Sequence, residues 1–556
     1  MLALLIAHII ITACCLWSGC LFYKLISKEN AKRPIIFYLL SGLILLTILA
    51  QIIVLFFPLG AITQLAVATI LIASVAFKWT DCKNLFKKIF VEFSTWSTPS
   101  LILFLLPWVI ILLINAGPTM MDDTESYHIQ SIKWIQEYGS VPGLVNLHER
   151  FGFNSSWFSS VALFSFSSKT TGGFTVLNSV LSMWLCYWFI SKCNQYRKEN
   201  NVQAAFAVFI IFITCLLIWP LIRGNAATTN YDFITTVFVL ILFSEVFYSE
   251  KISPSTEWMI WPVYLFTVRV INFPLLALSL FALIFFIKQK NFKTIFLPVI
   301  WCLFLIVPFL IRNIIIGGYP FYPATYFDLT SVDWKPDPLL TERILEYIKY
   351  YNRVSTTYLE IEQTKALGSN WVPAWFKYLF FFDKILVIVG LAGILLTSVK
   401  LFIQKINHSR LIITGIMIAW LISWFIVSPD PRFAYGVLLF GTFLLIYYFI
   451  SFIKDSAGIK TLLKVLMILL VAYLSYYIVS KPMKHAEYRN WTLPLQLPQP
   501  PVREMVIDGI TFRIPGLINN NWNARCYGTD LPCLYKIDSR LKARRKNIRS
   551  GFHLKK

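Results

Sequence analysis

The sequence predicts an all-α polytopic membrane protein with about 12–14 transmembrane helices, two large extracytoplasmic loops and a small irregular C-terminal tail. Of its 556 residues, 57% are hydrophobic, and the mean hydropathy is +0.65. Soluble domains hold only about 45–50% apolar residues. The apolar residues form runs of about 16–23, long enough for a helix to cross a hydrocarbon core of about 30 Å. A β-barrel would instead alternate apolar and polar residues over about ten positions.

Apolar runs and polar intervals divide the chain into six parts. We predict N-terminal transmembrane helices at 1–116, a first extracytoplasmic loop at 117–173, central transmembrane helices at 174–316, a second extracytoplasmic loop at 317–378, C-terminal transmembrane helices at 379–479 and an extracytoplasmic tail at 480–556. The predicted spans are 2–23, 35–57, 61–77, 99–116, 174–191, 203–220, 231–248, 257–270, 272–287, 294–316, 379–400, 411–427, 434–453 and 461–479.

Positive charge is concentrated in short loops between the predicted spans. The net charge is +22, and the basic loops are 24–34, 78–95, 192–200, 288–293, 400–410 and 454–460. Lysine and arginine in short loops mark the cytoplasmic side, so this charge does not indicate a nucleic-acid partner. Alternation then turns the polar segments outward, namely 117–157, 221–230, 317–378 and 428–433. Anionic lipids and phosphate-bearing substrates are the expected partners.

The tail combines a basic composition with a pair of cysteines. The alternation of spans places it outside, whereas its lysines and arginines would by themselves favour the inside. Cys526 and Cys533 lie seven residues apart in this polar segment. If the tail is extracytoplasmic, an oxidising environment would allow them to form a disulfide.

Two adjacent carboxylates, Asp122 and Asp123, follow the fourth predicted span. Transfer of a group to a hydroxyl needs a base, or a carboxylate that orients the acceptor oxygen. A carboxylate at the membrane surface can do this while the lipid part of a donor stays in the bilayer. The alternative is that the pair caps the helix predicted to follow it.

Further polar residues in the first loop are candidate substrate-binding groups. Tyr127 shares a helical face with Asp123. His128 is a candidate to bind a phosphate or polarise a leaving group, and a structural histidine is the alternative. Glu125 belongs to the same acidic stretch, and His148 and Arg150 form a second charged cluster that an outward loop would also tolerate.

Three arginines occur where a bilayer disfavours charge. Arg269 lies inside the apolar run VYLFTVRVINFPLL, and an intramembrane arginine usually faces a cavity or a partner. Snorkelling to the membrane surface is the alternative. Arg312 precedes the second loop, and SPDPRFAYG places Asp430 and Arg432 at the outward end of a span. A guanidinium matches phosphate oxygens well, so these residues are candidate substrate-binding groups.

Four blocks in order carry a family resemblance: YHIQSIKWIQEYGSVPGLVNLHERFGFNSSWF, RNIIIGGYPFYP, SPDPRFAYG and CYGTDLPC. The arrangement of many spans, the acidic pair leading to Tyr127 and His128, the second large outer loop and Arg432 resembles the GT-C superfamily of integral-membrane glycosyltransferases. The four blocks are similar, more narrowly, to a poorly characterised bacterial subgroup of it. The acidic loop of that superfamily usually follows the first span, whereas here it follows the fourth predicted span.

The resemblance implies an enzyme of the bacterial inner membrane that acts on the periplasmic or exterior face. Such enzymes transfer a sugar from a polyprenyl phosphate or diphosphate to a lipid, glycan or protein hydroxyl. It implies a base or orienting role for Asp123, with Asp122 next, and phosphate binding by Arg269, Arg432 and, more weakly, Arg312. No cofactor is expected to be obligatory, although a divalent cation is a possible addition.

Two other functions fit parts of the same pattern. A flippase or transporter of lipid-linked glycans shares the many spans and the arginines, but more often has broken helices at mid-membrane. A polymerase or ligase of the O-antigen type would depend on loop arginine and histidine residues instead of the two aspartates.

Overall fold

The architecture comes from a computed structural model that describes residues 1–26, 33–247, 254–290, 292–403, 408–453, 456–517 and 525–555. Helices make up most of it. They are α1 Leu2–Ile26, α2 Ile35–Phe56, α3 Ala61–Phe77, α4 Trp79–Ser94, α5 Thr98–Asn115, α6 Ile129–Glu137, α7 Ser156–Phe164, α8 Thr171–Lys198, α9 Val202–Leu217, α10 Ile222–Asn225, α11 Tyr231–Phe247, α12 Thr256–Val268, α13 Leu276–Lys288, α14 Phe292–Gly317, α15 Pro338–Tyr351, α16 Ile361–Ala366, α17 Trp371–Tyr378, α18 Phe381–Ile403, α19 His408–Val427, α20 Tyr435–Ser451 and α21 Ser456–Lys484.

Shorter elements complete the described chain. The strands are β1 Val502–Ile507, β2 Ile510–Pro515, β3 Leu541–Ala543 and β4 Phe552–Leu554. Tight helical turns occur at Thr124–His128, Leu144–Asn146, Glu149–Gly152, Val270–Leu275, Gly368–Asn370, Pro431–Phe433, Ala486–Tyr488 and Ile548–Ser550. The basic loops predicted at 24–34, 288–293, 400–410 and 454–460 lie partly outside the described residues.

The helices confirm the predicted fold class, an all-α polytopic membrane protein. Among the described residues, nine helices are long and apolar enough to cross a membrane, or ten if the bent pair α3–α4 counts as one span. The predicted count of 12–14 also included α9, α11, α12 and α20, which have 16, 17, 13 and 17 residues. Such helices are about 20–26 Å long, less than the thickness of the hydrocarbon core.

The predicted loop at 78–95 is wrong, because most of it forms α4. This helix meets α3 at an angle of 92°. Cys82, Leu85 and Ile89 recur at helical spacing and pack with Trp17 of α1. The lysines between these apolar positions made the segment resemble a loop. The apolar residues themselves, however, have the spacing of an amphipathic helix.

The centre of the bundle is α8, in which every residue from Thr171 to Ile190 is buried. A helix that is apolar on all sides packs in an interior. Glycines allow neighbouring helices to approach closely around it. A Cβ added to Gly19 of α1 would meet the Tyr38 carbonyl of α2, and one added to Gly393 of α18 would meet the Gly441 carbonyl of α20. Small residues of this kind favour tight helix packing in membranes.

The polar segments of the chain meet at one end of the bundle, which we call the polar face. The amide of Met120 in the first loop donates to the Ala227 carbonyl at 2.9 Å. Arg432 Nη1 lies 3.3 Å from Asp123 Oδ2. The side chain of Asn146 donates to the Trp334 carbonyl at 2.9 Å. The first loop, the 221–230 turn, the 428–433 turn and the second loop therefore share this face.

The basic segments meet at the opposite end of the bundle. Arg33 Nε lies 2.8 Å from Glu257 Oε1, and Lys192 Nζ lies 2.5 Å from Glu245 Oε1. Lys198 donates to the Thr95 hydroxyl at 3.1 Å. The separation of polar and basic segments is the one that alternating spans predict.

The tail is more regular than the sequence suggested. Strands β1 and β2 pair antiparallel, as do β3 and β4. Asp508 and Gly509 join the first pair with φ angles of 50° and 82°. An Asp-Gly pair favours such a two-residue hairpin turn, and this local signal was missed. Phe512 and Phe552 are fully buried between the two hairpins, with ring centroids 5.8 Å apart.

Candidate functional site

The acidic stretch between α5 and α6 begins with an unusual backbone turn. Met121 has a φ of 77°, in the left-handed region that non-glycine residues seldom occupy. The π-helical turn Thr124–His128 then leads into α6. Asp123 lies at its N-cap position, but its side chain forms no capping hydrogen bond. Because adjacent residues on a helix point about 100° apart, Asp122 and Asp123 face different neighbours.

Asp122 and Glu125 turn toward the C-terminal tail. Arg525 pairs with Asp122 through Nη2 and with Glu125 through Nη1. Glu125 also accepts hydrogen bonds from Thr119 at 2.5 Å and from the Tyr527 hydroxyl at 3.4 Å. We call Asp122, Glu125 and Arg525 the tail clamp.

The disulfide next to Arg525 fixes the tail at this position. Cys526 and Cys533 are joined, with Cα atoms 5.9 Å apart. Gln130 of α6 donates to the Tyr527 carbonyl at 3.1 Å, and Lys133 donates to the Thr529 carbonyl at 2.5 Å. The disulfide-closed loop is therefore attached to α6 over about one turn of helix, and Arg525 stands at its edge.

Asp123 instead faces two arginines of the bundle. Its carboxylate oxygens lie 3.5 Å from Arg150 Nη1 and 3.3 Å from Arg432 Nη1. Burial disfavours the charged carboxylate, but Arg432, Arg150 and Arg269 outweigh this cost and hold the pKa of Asp123 below its ordinary value. Asp123 is therefore ionised at neutral pH.

A second aspartate, Asp232 at the start of α11, holds the arginines from the other side. It is paired with Arg269 and lies 3.9 Å from Arg432 Nε. Asp430 lies 2.9 Å from the same nitrogen. The Arg269 guanidinium stacks on Phe433 at 3.5 Å from the ring centroid. Arg269 thus has a carboxylate partner and does not depend on snorkelling.

Six charged residues therefore form one group, which we call the arginine cluster. Three are carboxylates and three are guanidiniums: Asp123, Asp232, Asp430, Arg150, Arg269 and Arg432. Their charges balance when no substrate is present. A site that takes a phosphate can exchange some of these pairings, because each guanidinium carries five N–H donors.

Tyr127 and His128 lie beneath this cluster and are almost fully buried. The Tyr127 hydroxyl lies 3.4 Å from that of Tyr231, and His128 Nδ1 lies 3.1 Å from the Thr229 hydroxyl. Burial lowers the pKa of His128 to about 3, although Asp123 opposes this change. A neutral imidazole lacks the positive charge that phosphate binding by His128 would use.

Of the second predicted charged cluster, only Arg150 reaches Asp123. His148 accepts a hydrogen bond from the Arg150 amide at 3.0 Å and so caps the turn at Glu149–Gly152. Burial lowers the pKa of His148 to about 4, so it is neutral at pH 7. The Arg150 guanidinium lies over the rings of Tyr127 and Tyr347, at 5.6 and 5.8 Å from their centroids.

Arg312 is buried and stands apart from the arginine cluster. Its Nη1 donates to the side-chain oxygen of Asn154. No carboxylate among the described residues lies within 4.0 Å of it. The prediction gave Arg312 the same phosphate-binding role as Arg269 and Arg432. The structure does not bring Arg312 together with these two residues.

The acidic residues Asp122, Asp123, Glu125 and Asp232 do not all converge on one point. Asp122 and Glu125 pair with Arg525, whereas Asp123 and Asp232 meet at Arg432. Across the part of the chain that the structure describes, no group of three or more His, Cys, Asp or Glu residues has the geometry of a metal site.

Sequence reasoning missed three contributors to these groups. Asp232, Tyr347 and Arg525 were not among the predicted site residues. Arg525 follows an Asn-rich stretch without periodicity, and its partner Asp122 is 403 residues away. The only local signal was the neighbouring Cys526, which indicated a fixed tail but no partner for it.

Comparisons with known proteins give one family. No curated protein and no solved structure matches the chain. A family model described as "Domain of unknown function (DUF8201)" matches residues 1–439. The matched part contains the whole arginine cluster and ends before the tail that supplies Arg525. Because the match covers well over half of the 556 residues, the chain belongs to the DUF8201 family.

Proposed function

We propose that this protein is a membrane glycosyltransferase. It moves a sugar from a polyprenyl-phosphate-linked donor to a hydroxyl of a lipid, glycan or protein acceptor. The observation that carries the proposal is an ionised, partly exposed carboxylate, Asp123, held between Arg150 and Arg432 at one end of a membrane-spanning bundle. Such a site offers a proton acceptor and phosphate-binding cations side by side.

The proposed step is a direct displacement at the anomeric carbon of the donor. The acceptor oxygen forms a bond to this carbon, and the bond from the carbon to the phosphate oxygen breaks. The acceptor proton passes to Asp123, and the bonding electron pair leaves with the lipid phosphate. Arg269 and Arg432 stabilise the resulting negative charge, as fixed donors do for charge that develops in a transition state.

The low pKa of Asp123 defines its part in this step. A carboxylate between two guanidiniums is a weak base, because the same charges that keep it ionised reduce its proton affinity. Asp123 therefore first orients the acceptor hydroxyl and takes its proton late, when bond formation has made that proton acidic. Asp232 and Asp430 keep Arg269 and Arg432 in place until the donor phosphate arrives.

The arginine cluster lies at one end of the membrane helices, so a lipid-linked donor could place its sugar phosphate at the cluster and its polyprenyl chain beside the helices. Arg269 is stacked on Phe433 and lies 5.3 Å from the ring centroid of Tyr231. Phe433 is buried, and its ring face is covered by Arg269 and so supports this guanidinium. The polyprenyl chain would remain among the membrane lipids, beside the apolar helix surfaces.

We further propose that the polar face lies outside the cytoplasm, with the protein in a bacterial inner membrane. Two observations support this orientation. The basic segments gather at the opposite end of the bundle, which is the pattern of cytoplasmic loops. The disulfide between Cys526 and Cys533 lies at the polar face, and disulfides persist in oxidising compartments.

The two rival functions use fewer of these features. A flippase does not need a carboxylate held at one face between two arginines. A polymerase or ligase of the O-antigen type would depend on loop arginine and histidine residues. Burial lowers the pKa values of the first-loop histidines His128 and His148 to about 3 and about 4, so both are uncharged at neutral pH.

The test compares Asp123→Asn with Asp122→Asn, two changes that each remove one negative charge at adjacent positions. Surface or secreted glycan is measured in cells, with protein level and thermal stability checked for each variant. We expect Asp123→Asn to lower glycan transfer by about 10²–10⁴-fold, the usual contribution of a catalytic acid or base. We expect lipid-linked donor to accumulate on the outer leaflet, and Asp122→Asn to retain transfer.

Retention of full transfer by Asp123→Asn would sink the proposal. Donor that accumulates on the inner leaflet would indicate a flippase instead, because the block would then precede transfer.

A further inference from the structure

A cavity at the polar face is separate from the arginine cluster and contains three arginines. Its volume is about 340 Å³, and it is lined by Pro142, Asp333, Arg544, Arg545, Arg549, Ser550 and His553. None of these residues belongs to the arginine cluster or to the tail clamp. The volume lies within the range of about 300–1,000 Å³ typical of small-molecule pockets.

Three separate segments of the chain build this cavity. Pro142 comes from the first loop, Asp333 from the second loop, and the remaining lining residues from the β3–β4 hairpin. Asn146 joins all three, because its side chain donates to the carbonyls of Trp334 and Phe552 at 2.9 and 3.2 Å. The Phe552 amide donates to the Pro142 carbonyl at 3.0 Å.

Glycine is required where the hairpin meets the first loop. Gly551 has a φ of 89°, and a Cβ at this position would overlap the Pro142 carbonyl oxygen. The Arg544 amide donates to the Gly551 carbonyl at 3.0 Å. The backbone on this side of the cavity is therefore fixed by packing before any ligand binds.

One arginine of the cavity is held in place by its neighbours. Arg544 Nε lies 2.8 Å from Asp333 Oδ2, and its Nη1 donates to the Ser550 carbonyl at 2.9 Å. Its guanidinium stacks on Trp334, at 4.6 Å from the ring centroid. The charge of Arg544 is thus balanced by Asp333.

The other two arginines carry charge that no neighbour balances. Arg545 and Arg549 are exposed. No side-chain hydrogen bond or ion pair joins either guanidinium to another of the residues that the structure describes. His553 Nδ1 is buried in the same wall and has no hydrogen-bond partner among them. The cavity therefore offers two free guanidiniums and an unused ring nitrogen.

We propose that this cavity binds a phosphate ester, carried either by a phosphorylated saccharide or by a lipid head group. Guanidiniums bind phosphate oxygens through paired N–H donors, and these charge-assisted bonds are strong. Arg545 and Arg549 hold the phosphate, His553 contributes one further hydrogen bond, and the remaining volume takes the attached sugar or glycerol. This binding site does not rest on the glycosyltransferase proposal.

The test measures binding of glucose 6-phosphate and of glucose to the full-length protein in phosphatidylcholine nanodiscs by calorimetry. The test variant is Arg545→Gln/Arg549→Gln. The matched control is Arg540→Gln/Lys542→Gln, which also removes two positive charges from the tail. Arg540 pairs with Asp538 at 2.9 Å, and Lys542 pairs with Asp508 at 3.7 Å. Neither control residue lines the cavity.

We expect the wild-type protein and the control to bind glucose 6-phosphate equally, and the Kd of the test variant to rise at least about tenfold. Glucose should not bind, and rising salt should weaken binding of the phosphate ester because exposed charges are screened. Equal affinity of the test variant and the control would overturn the proposal, as would equal binding of glucose.

A second measurement identifies the source of the phosphate. Nanodiscs containing phosphatidylglycerol supply an anionic head group. If the lipid is the natural ligand, it should occupy the cavity and abolish the response to glucose 6-phosphate. If a saccharide is the ligand, the response should persist. Asp123→Asn should leave binding unchanged in either case. Absence of glucose 6-phosphate binding to the wild-type protein in phosphatidylcholine would reject the site.

Discussion

Asp122 and Asp123 are neighbours in the sequence, but they belong to two different ion-pair groups. Asp122 shares Arg525 of the tail with Glu125, and its side chain is 48% exposed. Asp123 faces Arg150 and Arg432, and its side chain is 24% exposed. One carboxylate therefore attaches the tail to the bundle, whereas the other is part of a charged group at the head of the membrane helices.

The difference in surroundings determines what each group can do. Exposed ion pairs contribute little to stability, because water screens them and long side chains lose freedom. Buried charges are costly unless they are paired, so removal of one partner is strongly destabilising. Of the carboxylates in the two groups, Asp232 is the most buried, at 6% exposed, and Asp122 is the most exposed, at 48%. We therefore expect loss of the Asp232 charge to cost far more stability than loss of the Asp122 charge.

The largest effect should come from Asp232, the most buried carboxylate of the arginine cluster. In Asp232→Asn, Arg269 loses its carboxylate partner and Arg432 loses one of three. We expect the free energy of unfolding to fall by about 3–5 kcal/mol, measured as a lower melting temperature in detergent, and transfer activity to be lost.

The matched control for that change is Asp383→Asn. Asp383 is also buried and begins a helix, but its partner is the Tyr435 hydroxyl at 2.8 Å. An asparagine can still accept this hydrogen bond, so stability should change little. If both variants lose the same stability, burial alone accounts for the effect and the cluster has no special role.

The tail clamp can be loosened without touching its charges. In Cys526→Ser/Cys533→Ser, the loop that carries Arg525 loses its covalent closure. A disulfide that closes a loop of about eight residues should contribute about 2–3 kcal/mol through chain entropy. We expect faster proteolysis of the tail and an unchanged melting transition of the bundle. A melting transition that drops together with the tail would show that the two regions unfold as one unit.

The buried histidines should make stability depend on pH, and mainly in the region of the arginine cluster. The pKa of His128 is about 3 and that of His148 is about 4, whereas an unfolded histidine has a pKa of about 6.5. The unfolded state then binds more protons below about pH 6.5, so stability falls as pH decreases from there toward the folded values.

For His128 this loss should be about 2 kcal/mol at about pH 5. His148 should lose a similar amount at this pH, so His128→Asn should remove about half of the slope that the two histidines produce together. Thermal melts between about pH 5 and pH 8 would show this. Asp123 should behave differently, since its lowered pKa keeps it ionised over this range and its contribution to stability is lost only in stronger acid. A slope that persists unchanged in His128→Asn would assign it to other groups.

The membrane helices could be predicted from the sequence because hydropathy alone specifies them. The predicted span 35–57 coincides with α2, Ile35–Phe56, to within one residue. The charged Arg269 inside another apolar run correctly indicated a partner in the bundle, since an unpaired arginine there would be too costly. Local composition was enough in both cases.

The composition of the site was harder to predict, because its pairs join distant parts of the chain. Asp123 and Arg432 are 309 residues apart, and nothing in either local sequence specifies the other. Asp232 begins a helix, where an aspartate is common for local reasons. Asp122 and Asp123 were interpreted as a pair because they are adjacent, whereas helical geometry separates them.

The smallest predicted effect is that of Arg525, and it tests the comparison most directly. Arg525→Gln removes the charge that holds Asp122 and Glu125. Asp122 is about half exposed, and the more buried Glu125 keeps its hydrogen bonds from Thr119 and Tyr527. We therefore expect a loss of only about 1 kcal/mol and a fall in transfer of less than about tenfold. Arg525→Lys should recover part of this, since a lysine keeps the charge but lacks the fork that reaches two carboxylates at once.

Activity of Arg525→Gln is best compared with that of Asp123→Asn in the same membranes. If the tail clamp only positions the acidic stretch, Arg525→Gln should raise KM or lower kcat modestly. Reversal of the pair in Asp122→Arg/Arg525→Glu should restore little of the lost activity, because Glu125 would repel the new glutamate. The tail lies beyond the part of the chain that the family model matches. If Arg525→Gln lost as much activity as Asp123→Asn, the tail would contribute directly to the chemistry. The two ion-pair groups would then have to be treated as one site.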